Sequence, residues 1–154
     1  MKKKILVGLI LLTVSLCLTG CLKKNSISGE KFKVMLDSDN YDVINIKDQI
    51  TDNVQIKEAY YAVNRDENYK IYYYCYTSEE KAKEKYDSLK KEINDNNKIT
   101  TTKKEKNIGN YSKLQITTSS KYIVVSRIKE TIVYSDENVN LKDDIDLELK
   151  TIGY

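Results

Sequence analysis

The chain has 154 residues, with 26 basic against 23 acidic side chains and a formal excess of +3. That excess lies in Lys2, Lys3 and Lys4; from position 21 onward the count is 23 against 23, which removes the charge argument for a nucleic-acid partner. The length suits one domain with its own core, and three cysteines with no histidine leave few ligands for a zinc or iron–sulfur centre.

In chain order, the three lysines are followed by Ile5 to Leu18, an apolar run of 14 residues without a charge. A membrane-spanning helix needs about 20, so length and flanks fit an export signal. Leu18-Thr19-Gly20-Cys21 follows at once, and these residues resemble the lipobox of bacterial lipoproteins. The resemblance implies that the Cys21 thiol carries a diacylglyceryl group and that the chain is cut between Gly20 and Cys21. Two acyl chains of the palmitate type anchor stably where one is marginal. The expected layout is a signal peptide over 1–20, a lipidated tether over 21–27 and a single α+β domain over 28–154. It places the domain on the extracytoplasmic face of the cell membrane. Abundant Lys, Asn, Ile and Tyr with no Trp, Pro or His resembles small lipoproteins of low-GC Gram-positive bacteria.

Beyond the tether, Ser28 precedes Glu30 to Leu36, where Phe32, Met35 and Leu36 recur at helical spacing. Tyr41 to Ile46 has strand character. Gln55 to Val63 and Tyr69 to Tyr76 are rich in β-formers and flank a polar loop over Asn64 to Asn68, which predicts an antiparallel hairpin. Thr77-Ser78-Glu79-Glu80 matches a capping box with Thr77 as N-cap, and Ala82, Tyr86, Leu89 and Ile93 then define one apolar face of a helix. Asn94 to Asn110 is Asn, Lys and Thr rich and reads as a long exposed loop or one with a minor strand. Strands are expected over Ser112–Thr118, Lys121–Lys129 and Thr131–Ser135. Asn140 caps a last helix carrying Leu141, Ile145, Leu149 and Ile152, with Gly153 after it. The order α-β-β-β-α-β-β-β-α predicts an α+β fold, an antiparallel sheet with helices on one face.

Apparent catalytic motifs do not hold together. Two Ser-x-x-Lys matches, at Ser78 and Ser88, and Ser38-Asp39-Asn40 occur in the wrong order for a penicillin-binding protein and without Lys-Thr-Gly. A calcium-loop likeness from Asp37 to Asp48 has Tyr41 at a ligand position and Asp42 where the turn needs glycine. Export leaves Cys75 as the one unmodified thiol, so no intrachain disulfide forms, and without histidine it reads as a packed, inert cysteine. No metal, cofactor or catalytic residue is expected.

All 13 tyrosines follow Cys21. Alternation along Tyr69 to Tyr76 turns Tyr69, Ile71, Tyr73 and Cys75 to the core and Tyr72, Tyr74 and Tyr76 to the other side. An outer face of rigid amphipathic rings suits binding of a protein or glycan. The expected function is a non-catalytic binding or accessory module at the cell envelope. The partners expected are the membrane, through the lipid on Cys21, and an envelope protein or glycan. The alternative is an enzyme or inhibitor-like accessory acting on cell-wall material, for which two facing carboxylates in a pocket would speak.

Overall fold

The computed structural model describes residues 23–51, 53–97 and 99–154; the signal segment, the lipobox and Cys21 lie outside the described residues. The first helix, α1 (Gly29–Ser38), starts at Ser28, whose hydroxyl accepts from the Lys31 amide at 3.2 Å. Three strands follow, β1 (Tyr41–Asn45), β2 (Ile56–Asn64) and β3 (Lys70–Tyr76), then α2 (Glu79–Asn96). Four more strands, β4 (Thr102–Ile108), β5 (Tyr111–Thr117), β6 (Lys121–Ile128) and β7 (Thr131–Asn138), lead to α3 (Lys142–Thr151). The strands form one antiparallel sheet in the order β1-β2-β3-β7-β6-β5-β4. The α+β class and the alternation of helices with runs of strands are therefore as the sequence implies.

The layering differs from the expectation of helices on one face. Phe32 and Leu36 of α1 and Ile145, Leu149 and Ile152 of α3 pack with Ile71, Tyr73, Val124 and Val133 in one core. Ala82, Tyr86 and Ile93 of α2 pack with Leu114, Ile116, Val125 and Ile132 in a second. The helices thus divide between both faces, because the inner strands are apolar on both. The run Tyr122-Ile123-Val124-Val125 in β6 is buried at every position, the pattern of a strand covered on each side.

Local details shift for identifiable reasons. The Thr77 amide is engaged by the Gln55 carbonyl at 2.9 Å, and Ser78, not Thr77, is the N-cap, its hydroxyl accepting from the Lys81 amide. At α3, the Asn138 side chain accepts from the Asn140 amide at 2.9 Å and closes a short 3-10 turn; the helix begins only at Lys142. Gly153 takes φ +93° just past the helix, the conformation that favours glycine there.

The segment expected to be a free tether is docked from Lys24 onward. Lys24 donates its amide to Asn110 Oδ1 at 3.0 Å, and Asn110 Nδ2 donates back to the Lys24 carbonyl at 2.8 Å. Its Nζ donates to the Gly153 carbonyl at 3.1 Å. Further along, the Tyr73 hydroxyl donates to the Ile27 carbonyl at 2.8 Å, and Ile27 packs on the first core.

One polar group in the first core is left incompletely paired. Glu148 Oε2 accepts from the Tyr41 hydroxyl at 3.2 Å, and Tyr41 also bonds Tyr69, but Glu148 Oε1 is buried without a partner. Burial pushes the Glu148 carboxyl above its ordinary pKa, with Asp39 adding repulsion and the Tyr41 bond opposing. A raised folded pKa makes ionised Glu148 a cost at neutral pH, and that cost disappears as pH falls below the unfolded value. Glu148→Gln should therefore stabilise the domain at pH 7 by on the order of 1 kcal/mol, a typical cost of one unsatisfied buried polar atom. The gain should fade on acidification. Urea melts at neutral and acid pH check this, and a gain that persists undiminished in acid would refute it.

Candidate functional site

The site begins with the register of β3. Tyr73 and Ile71 belong to the first core, and Tyr72, Tyr74 and Tyr76 fall on the opposite face, as alternation requires. That face is not open outer surface, since α2 packs on it. Tyr76 is buried at 6% exposure, whereas Tyr72 and Tyr74 are half-buried, so the three do not form one uniform exposed set. Cys75, expected in the core, is half-buried.

Cross-strand pairing enlarges the aromatic group. Tyr61 of β2 lies opposite Tyr72, and Tyr72 lies opposite Tyr134 of β7. Ring centroids are 5.9 Å apart for Tyr61–Tyr72 and 6.2 Å for Tyr72–Tyr134. Along β3, Tyr72 and Tyr74 are parallel at 6.4 Å, and Tyr74 and Tyr76 follow at 6.5 Å. Five rings thus form a continuous surface on which each contact lies in the range of favourable aromatic pairs.

Between this surface, α2 and the loop joining β1 to β2 runs a groove of about 520 Å³. Its floor carries Tyr74, Tyr76 and Tyr134, and Ile50, Ile56 and Leu89 form apolar walls. Lys81, Glu84 and Lys85 of α2 supply the rim, where Lys81 Nζ donates to Glu84 at 2.8 Å. An apolar hollow with a few polar groups at its margin is the geometry of a binding pocket.

The polar atoms of the groove's floor are phenol hydroxyls. Burial pushes the Tyr74 hydroxyl up to about 12, with Tyr72 adding, and raises Tyr76 and Tyr134 as well. Neutral phenols donate and accept hydrogen bonds but do not act as bases near neutrality. Among the described residues Glu84 is the carboxylate that lines the groove, and it is held by Lys81. On the reverse face, burial raises the Cys75 thiol, with Glu58 and Glu130 adding, which is the opposite of nucleophile activation.

Sequence reading found Tyr74 and Tyr76 of the groove but not Tyr134, Tyr61 or Leu89 as their neighbours. The missing information was strand order, since β7 reaches β3 across a long stretch of intervening chain. Among the described residues no group of His, Cys, Asp or Glu is arranged to hold a metal ion, and no described helix is long and apolar enough to cross a membrane. No protein-family model, curated protein or solved structure matches the chain.

Proposed function

We propose that the chain is a lipid-anchored extracytoplasmic lipoprotein whose domain is a non-catalytic binding module, with the tyrosine-floored groove receiving an envelope protein or glycan. The observation that carries the binding role is that three rings of the tyrosine surface, Tyr74, Tyr76 and Tyr134, floor the groove of about 520 Å³, with Tyr72 and Tyr61 continuing the surface beside it. Rigid rings with a polar tip give contact area at low entropic cost and dominate binding energy where they line a desolvated hollow. The location rests on Lys2 to Lys4, the uncharged run and Leu18-Thr19-Gly20-Cys21.

Two measurements test the two halves separately. Cys21→Ala should abolish incorporation of a palmitate analogue and leave the precursor uncut; equal labelling of mutant and parent would remove the anchor. For the groove, a photo-crosslinking residue in place of Tyr74 should give discrete adducts in intact cells. The same residue in place of Val34, exposed on α1, should not. Identical patterns at both positions would overturn the groove as the binding surface.

A further inference from the structure

On the opposite side of the sheet, beyond α3, strands β4 and β5 extend as a shelf, exposed along β4 and half-buried along β5. Tyr111 belongs to the core shared by α1 and α3, so Lys113, Gln115 and Thr117 of β5 face the same way. Their partners across the ladder are Lys106, Lys104 and Thr102. Two hollows of about 320 and 200 Å³ run along this shelf and share Lys104 and Gln115 in their walls.

Lysines from three separate parts of the chain meet here. Lys24 Nζ lies 4.2 Å above the Tyr111 ring, and Lys106 Nζ lies 6.0 Å from the same ring. Lys106 stands directly opposite Lys113, an arrangement in which like charges destabilise the ladder. Burial lowers the Lys113 ammonium, with Lys24 and Lys142 adding repulsion and Asp146 opposing; Lys24 is lowered by burial and by Lys106. Two carboxylates of the described residues line the hollows and both are engaged: Lys142 Nζ holds Asp146 at 2.8 Å and the Tyr122 hydroxyl donates to it, and Lys90 holds Glu105. Among the described residues, Lys24, Lys104, Lys106 and Lys113 form no salt bridge.

Lysines on an edge strand guard against edge-to-edge pairing, which accounts for Lys104 and Lys106. It does not account for Lys113, on an inner strand, or for Lys24, which is brought there by its paired bonds to Asn110. A convergence of cations without a carboxylate partner among the described residues is the arrangement an anion would relieve.

We propose that this lysine shelf docks on anionic phospholipid headgroups and lays the β4–β5 edge against the membrane. The proposal rests on the lipid anchor at Cys21. Lys24 is fixed to the domain, and three residues reach at most about 11 Å, so acyl chains on Cys21 bring headgroups within that distance of the shelf. A basic cluster beside an anchor is a common second signal for membrane attachment.

The full lipidated chain, reconstituted in vesicles, provides the test. It has no tryptophan, so Thr102→Trp places a single indole on the shelf, and Thr117→Trp serves if that variant does not fold. A headgroup nitroxide quencher reports proximity in phosphatidylcholine vesicles with and without phosphatidylglycerol. Quenching should rise with phosphatidylglycerol and fall again at high salt. Lys104→Gln with Lys106→Gln should shift the phosphatidylglycerol dependence by about fivefold per lysine. The control pair Lys31→Gln with Lys91→Gln, exposed elsewhere, should leave it unchanged. Equal quenching in both lipids, or equal effects of the two pairs, would overturn the shelf. Failure of the chain to stay with vesicles through an alkaline wash would instead overturn the anchor, and the shelf's role with it.

Discussion

Replacing Ile71 and Tyr73 together by alanine should leave the domain largely unfolded in water. Both side chains are fully buried. The Tyr73 ring stacks on Phe32 with centroids 4.9 Å apart, and its hydroxyl holds the Ile27 carbonyl at 2.8 Å. Core aliphatic and aromatic truncations cost roughly 2–5 kcal/mol each, and the two sites are close enough to couple. A combined loss of roughly 5–8 kcal/mol approaches the whole stability of an ordinary domain, about 5–15 kcal/mol. The pair Tyr72→Ser and Tyr74→Ser should cost much less, because both rings are half-buried, Tyr74 in the groove and Tyr72 beside it. Tyr76→Ser belongs with the core variants, since α2 covers that ring. Circular dichroism and urea melts distinguish these outcomes. A folded Ile71/Tyr73 variant beside an unfolded Tyr72/Tyr74 variant would mean that the two faces of β3 have been exchanged.

The three tyrosines thus show what local pattern can and cannot supply. Alternation assigns Tyr72, Tyr74 and Tyr76 to one face, because the side-chain period of a strand is fixed by the backbone. What covers that face depends on the crossing of α2, and periodicity carries no such information. A signal did exist in β6, where four consecutive large apolar residues leave no polar side to turn toward water. That run implies helices on both faces, while the alternating strands around it are equally compatible with one.

Strand β4 was legible only as a minor strand within the long polar stretch, for a different reason. Thr-Lys-Lys-Glu-Lys-Asn-Ile has neither β-branched alternation nor a buried face, and only Ile108 is partly covered. It is a strand because β5 offers it a complete ladder, and its charges suit an edge. The lysine shelf was invisible for the same reason, since Lys24, Lys104 and Lys113 come together through strand pairing and a docked N-terminal segment. Helix α2 was legible by contrast, because its apolar face repeats within a few turns, although its N-cap falls at Ser78 and not at Thr77.

Arg127→Ala should produce the second large loss of stability, about 3 kcal/mol, through the end of the molecule where α2 begins. Its side chain is 5% exposed, yet it carries a charge that no apolar neighbour can satisfy. Nη1 donates to Glu79 Oε1 at 3.2 Å and to the Lys129 carbonyl at 3.1 Å, tying the first turn of α2 to the β6–β7 turn. Lys129 sits at φ +51°, a conformation costly for a side chain other than glycine, so this bond holds a strained turn in place. Removing the guanidinium opens a cavity and orphans the carbonyl. Arg127→Met restores much of the volume and should recover part of the loss, because the buried stem of the arginine contributes packing as well as charge. Glu79→Gln should cost only about 1 kcal/mol, since Glu79 is half-exposed and water can replace one of its bonds. In urea melts the order of destabilisation should be Ala, then Met, then the Glu79 variant. An Arg127→Ala protein as stable as the parent would show that the buried guanidinium does not tie α2 to the turn.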